Sequence, residues 1–165
     1  MTSPYRLALL TEPPTWQGRR LNGRSLDLLA VLAGSQDARV SDGALIEALW
    51  PDDPPVRPLR ALHVVVSRVR AVVGEGSVER SGDGYRLALP KTDVDVRDLS
   101  DRVERARACA VAGQWEQVLD LTDSLPQVPA CADADNTLGA GATPVARLRE
   151  WAARQAEEAR RAAEA

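Results

Sequence analysis

Arg57-Pro58-Leu59-Arg60-Ala61-Leu62-His63-Val64-Val65-Val66-Ser67-Arg68-Val69-Arg70-Ala71-Val72-Val73-Gly74, followed after a short break by Val78-Glu79-Arg80-Ser81-Gly82-Asp83-Gly84-Tyr85-Arg86, is the stretch that decides the fold. Leu62, Val66, Val69 and Val73 recur at the i, i+4, i+7, i+11 spacing of an apolar stripe along an α-helix. Arg57, Arg60, Val64, Ser67, Arg68 and Ala71 share a second face at the same period. Guanidiniums, small residues that permit close approach and a branched apolar side chain are the groups that suit a DNA major groove. Ser81-Gly82-Asp83-Gly84 lies inside an alternating run from Val78 to Leu89, with Tyr85, Leu87 and Leu89 on one face. That pattern predicts a β-hairpin.

Outward from this stretch, Leu7 to Gly23 contains short strand-like segments around Pro13-Pro14 and a glycine turn, read as a small antiparallel sheet. Leu26, Leu28, Leu29, Val31 and Leu32 predict a helix ending at Gly34. Ser41 or Asp42 is a natural N-cap for a second helix, with Leu45, Ile46, Leu49 and Trp50 inward and Pro51 as its stop. A sheet, three helices and a hairpin wing account for residues 1–91, the layout of a winged helix. Residues 92–165 read as a separate, helical unit. Leu99, Val103, Ala106 and Ala110 mark one helix, and Trp115, Val118, Leu119 and Thr122 mark another. Ala112-Gly113-Gln114-Trp115 is the joint of a tetratricopeptide-like hairpin. Residues 126–144 read as a loose loop. A last helix carries Val145, Leu148, Trp151 and Ala152, with Glu150/Arg154 and Glu157/Arg161 as i,i+4 pairs. Its alanine-rich end should fray unless another helix covers it. The four tryptophans are expected to anchor the core.

Composition narrows the function. With 165 residues, 44% hydrophobic and 27% charged, the chain is that of a folded globular protein of one ordinary or two small domains. No apolar run is long enough to span a bilayer and Met1–Leu10 lacks a signal-peptide core, so a cytoplasmic protein is expected. Cys109 and Cys131 have no metal-ligand spacing and are expected as reduced thiols. One histidine, His63, and no paired nucleophile and base argue against an enzyme; no cofactor or metal is called for. The net charge of −3 weakly disfavours nucleic acid until it is divided. Residues 1–91 hold 12 cations and 10 anions, while residues 92–165 hold 9 and 14. The acidity lies outside the half that carries the arginine-bearing helix.

Val40-Ser41-x-x-x-Leu45-Ile46-Glu47-Ala48-Leu49-Trp50-Pro51, Pro54-Pro55, Leu62-x-Val64-x-Val66-Ser67-Arg68-Val69-Arg70 and Gly84-Tyr85-Arg86-Leu87, in that order, resemble the Streptomyces antibiotic regulatory protein family. Asp95 and the Ala-Gly-Gln-Trp joint extend the resemblance into the second half. It implies an OmpR-type winged helix followed by a tetratricopeptide-like bacterial transcriptional activator domain, here only about three helices long. The chain is therefore expected to be a fragment or a reduced member of the family.

The resemblance makes Arg57–Val73 the recognition helix, with Arg60, Ala61, Val64, Ser67, Arg68 and Arg70 toward DNA. It places the minor-groove position of the wing at Arg80 and Ser81. The turn Trp50–Val56, containing Asp52 and Asp53, becomes the surface shown to RNA polymerase. Together these imply a sequence-specific regulator that activates secondary-metabolite genes from direct repeats, bound by two copies head to tail. Arg60, Val64, Ser67 and Arg68 would read base edges; Arg57, Arg70, Arg80 and Arg86 would grip phosphates or the minor groove. The rival is a winged helix that has lost DNA binding and docks a protein partner. An unbroken positive surface over Arg57, Arg60, Arg68 and Arg80 would separate the two.

Overall fold

A computed structural model of the chain describes residues 3–35, 39–123, 125 and 143–164. Three two-residue strands, β1 (Leu7–Ala8), β2 (Thr15–Trp16) and β3 (Arg19–Arg20), form an antiparallel sheet in sequence order. The turn between β2 and β3 places Gln17 and Gly18 at φ 47° and 82°, where glycine is at home. Helices α1 (Gly23–Gly34), α2 (Asp42–Leu49) and α3 (Pro58–Val73) follow. Ser41 caps α2, its hydroxyl accepting from the Ala44 amide at 3.2 Å. Pro58 opens α3, where no amide is needed, and Gly74 at φ 99° closes it.

The wing is a three-stranded sheet. β5 (Val78–Ser81) and β6 (Gly84–Leu87) form the hairpin expected from the sequence, and β4 (Val40–Ser41) pairs with the other edge of β6. A strand of two residues leaves no periodic signal, so the sequence did not disclose β4. Gly84 lies directly against it: a Cβ there would come within 2.1 Å of the Val40 carbonyl oxygen.

Leu62, Val66, Val69 and Val73 are all buried, as their spacing required, and Val65 joins them. They belong to a hydrophobic core that also takes in Leu7, Leu28, Leu32, Leu45, Leu87 and Leu99. Three more helices, α4 (Asp95–Val111), α5 (Trp115–Asp123) and α6 (Pro144–Glu164), complete the described chain. The architecture is thus mainly helical with small antiparallel sheets, a winged helix-turn-helix followed by further helices. α6 lies against α1, α4 and α5, and its Leu148, Ala152, Ala156 and Ala159 are buried. Its far end therefore has the cover that its alanines required, reinforced by Arg107 donating to Gln155 and Glu158 at 2.9 and 2.8 Å.

Polar contacts also join the second half to the first. The Asp95 carboxylate accepts from the amides of Leu9, Leu10 and Val96 at 3.0, 2.8 and 2.7 Å. Arg149 of α6 donates to the carbonyl oxygens of Leu9 and Thr11 at 3.1 and 2.6 Å.

Some expectations fail. Trp16 is buried and Trp50 and Trp151 pack against the core, but Trp115 is 49% exposed and Leu119 beside it 48%. α5 buries the side that carries Val118 and Thr122, and no other described element covers the opposite one. Of the two ion pairs expected on α6, Glu157–Arg161 forms at 3.1 Å; among the described residues Glu150 and Arg154 form none. The loop assigned to residues 126–144 lies almost wholly outside the described residues, as does Cys131; Cys109 is a free thiol.

Candidate nucleic-acid interface

The face of α3 opposite its buried stripe is open to solvent. Arg57, Arg60, Val64, Ser67, Arg68 and Ala71 are all exposed, Val64 at 45%, and Ala61 is half-buried. Among the described residues no carboxylate pairs with Arg57, Arg60 or Arg68. Their guanidiniums keep their full donor sets, on a face whose intervening side chains are short or branched. A groove of about 390 Å³ runs between α3 and the wing, lined by His63, Ser67, Arg70, Glu75 and Tyr85. His63 itself is exposed on the helix surface.

Arg70 differs from these three. It is half-buried, its Nε donates to the Val78 carbonyl oxygen at 3.0 Å, and its guanidinium lies 5.7 Å from the centre of the Tyr85 ring. It ties the end of α3 to the base of the wing.

The wing arginines are all occupied. Arg80 grips both carboxylate oxygens of Asp42, at 2.7 and 3.0 Å, and lies 4.8 Å over the Tyr85 ring. The hydrogen bond to Asp42 is the main reason its pKa is raised further. Arg86 meets Glu79, its cross-strand partner, at 2.6 Å, and Arg39 meets Asp83 at 3.4 Å. Ser81 is half-buried at the hairpin turn. The positive charge is therefore uncompensated along α3 and compensated locally on the wing. Nothing in the sequence foretold the Asp42–Arg80 pair, whose members are 38 residues apart.

Asp52 and Asp53 are exposed in the turn between α2 and α3, followed by Val56 at 99% exposure and Leu59 at 53%. Among the described residues no group of three or more histidines, cysteines and carboxylates is placed to hold a metal, and no helix is long and apolar enough to cross a membrane.

Residues 17–87 match the family described as transcriptional regulatory protein, C terminal. Regulatory protein AfsR of Streptomyces griseus is 28% identical over 160 residues, 88% of this chain and 16% of that protein. Transcriptional regulatory protein EmbR of Mycobacterium tuberculosis (strain ATCC 25618 / H37Rv) is 31% identical over 97 residues, 54% of this chain and 25% of that one. The chain thus spans a quarter or less of the length of these relatives. The solved structure of Mycobacterium tuberculosis EmbR in complex with a low-affinity phosphopeptide superposes with a TM-score of 0.64 at 22% identity, over 91% of this chain and 41% of that one. At that identity the likeness speaks to the fold, and it covers the added helices as well as the winged helix.

Proposed function

We propose that this chain, whose residues 17–87 match the family described as transcriptional regulatory protein, C terminal, and which fits a Streptomyces antibiotic regulatory protein-like regulator, binds DNA sequence-specifically and activates transcription. The observation that carries this reading is the solvent face of α3, where Arg57, Arg60 and Arg68 stand exposed and unpaired among the described residues around Val64 and Ser67.

A helix fits the major groove, and an arginine fork meets the two acceptors of a guanine edge. In this reading Arg60 and Arg68 take base edges, Val64 a thymine methyl, and Ser67 and Ala61 the close approach. Arg57, at the start of the helix, is nearest the phosphate backbone. Arg86 and Arg80 on the wing complete the grip on the backbone and minor groove. Arg70 we assign to fixing the angle between helix and wing, because its Nε is already spent on Val78. Residues 1–91 form the DNA-binding unit and 92–165 belong to a tetratricopeptide-like activator domain. The targets are direct repeats upstream of secondary-metabolite genes, bound by two copies in the cytoplasm. The Asp52-Asp53 turn faces RNA polymerase.

One observation favours the rival reading, a protein-docking winged helix: Val56 and Leu59 expose apolar surface beside Asp52 and Asp53 while the wing arginines are neutralised. Selection from a pool of randomised duplexes separates the two. The DNA-binding reading expects enrichment of one repeated motif, lost or relaxed at single positions by Arg60→Ala and Arg68→Ala. A pool left unenriched by the folded protein sinks it.

A further inference from the structure

In the DNA-binding reading Arg80 is the wing residue that meets the DNA backbone, yet its hydrogen-bonding fork is taken. Nη1 and Nη2 donate to the two oxygens of Asp42 at 2.7 and 3.0 Å, and the plane of the guanidinium rests near Tyr85, 4.8 Å from the ring centre. A phosphate takes the same fork by the same two parallel bonds. Arg80 cannot give that fork to both. Asp42 is held firmly in its place: it is the first residue of α2, its amide donates to the Asp83 carbonyl oxygen at 2.9 Å, and β4 fastens the preceding Ser41 to Gly84. The carboxylate is therefore fixed to the frame of the wing, with its side chain only 17% exposed, while Arg80 is long, flexible and 43% exposed. The arginine is the partner that can leave.

We infer that Asp42 is a phosphate mimic that holds the wing arginine in the free protein, so that DNA engages Arg80 only by displacing an internal carboxylate. This rests on the DNA-binding reading above. Its consequence is a wing that contributes little to non-specific binding. Each phosphate neutralised by a cation releases counterions from DNA, which steepens the fall of affinity with salt. When Arg80 moves to a phosphate, Asp42 is left bare and draws a cation back from solution, offsetting that release. A backbone phosphate offers Arg80 the same two parallel charge-assisted bonds, so the exchange trades one bidentate pair for another. The exposed arginines of α3, with no such partner among the described residues, dominate first contact.

The test is a double-mutant cycle on the full chain with a random-sequence duplex, comparing wild type, Asp42→Asn, Arg80→Ala and the double variant across a salt series. Asn keeps the size of the side chain and the α2 backbone while removing its charge. The expected results are about two- to fivefold tighter binding by Asp42→Asn at low salt and a log–log salt slope steeper by about 0.9. Arg80→Ala should cost more in the Asp42→Asn background than in the wild type. Equal cost in both backgrounds, or an Asp42→Asn variant that binds no more tightly than wild type, overturns the inference. A measurement without DNA checks the pair itself. Nitrogen-detected NMR should show slowed rotation of the Arg80 guanidinium in the wild type and fast rotation in Asp42→Asn, and fast rotation in both would overturn it too. If Arg68→Ala weakens DNA binding as expected while the cycle shows no coupling, only the role of Asp42 falls. If the wild type binds no duplex, the DNA-binding reading falls with it.

Discussion

Arg68 and Arg80 carry the same charge in opposite settings: one stands in solvent with no carboxylate partner among the described residues, the other is clasped by Asp42. The difference predicts different phenotypes. Arg68→Ala should cost about 1–3 kcal/mol on the preferred duplex and relax selection at one base pair, measured by anisotropy titrations on singly substituted duplexes. An unchanged profile would remove Arg68 from the reading face. Sequence spacing was enough to find this exposed face, because helical period alone separates it from Leu62, Val66, Val69 and Val73. It could not say which arginines were committed elsewhere, since Arg80 meets Asp42, and Arg70 meets the Val78 carbonyl, only after the chain has folded back. A second residue-scale consequence concerns Asp95. Burial pushes its carboxyl up to about 6, against the opposing pull of three amide hydrogen bonds and Arg149. An acid whose pKa is raised by folding binds its proton more tightly in the folded state than in the unfolded one. Its contribution to stability is thus fully present below about pH 4 and is lost as the pH rises toward 6. Denaturant titrations should show this loss, on the order of 2–3 kcal/mol, as a pH-dependent difference between wild type and Asp95→Asn. A difference that stays flat from pH 4 to 7 would contradict it.

The wing shows what element-level patterns convey and what they omit. The alternation around Ser81-Gly82-Asp83-Gly84 reported a hairpin, and β5 and β6 form it. β4 escaped notice because two residues carry no period, yet it decides what position 84 tolerates. With the Val40 carbonyl oxygen 2.1 Å from where a Cβ would stand, Gly84→Ala must push β4 away from β6. The expected cost is about 1–3 kcal/mol or more in chemical denaturation, together with weaker amide protection at Val40 and Tyr85. Full protection at wild-type stability would mean that the two strands are not in contact. α5 illustrates the opposite error. Trp115 and Leu119 have the spacing of a buried stripe, but helical period says only that two residues share a face, not that another element covers it. Val118 and Thr122 face the packing instead, leaving Trp115 half in solvent.

At the scale of the whole molecule, the change of pattern after residue 91 suggested two units, and the packing adds what local pattern could not disclose. Leu148 and Ala152 of α6 share a hydrophobic core with Leu28 and Leu32 of α1, and Asp95 and Arg149 hold the backbone around Leu9 and Leu10. Contacts between residues 140 positions apart leave no mark on local pattern. A shared core predicts a single cooperative unfolding transition, coincident by circular dichroism and tryptophan fluorescence. It also predicts that Leu148→Ala, although far from α3, lowers the stability of the whole by about 2 kcal/mol or more. Two resolved transitions would show the halves to be independent. The stability of this frame matters for function because it holds the arginine face of α3 and the latched wing in one geometry. The most direct test of that geometry is the ratio of affinities for the selected duplex and for a scrambled one, compared between wild type and Arg68→Ala at fixed salt. A reading helix predicts a large wild-type ratio that falls by about tenfold or more in the variant, with affinity for the scrambled duplex reduced much less. A wild-type ratio near one, or an equal loss on both duplexes, would contradict the assignment of α3 as the element that reads DNA.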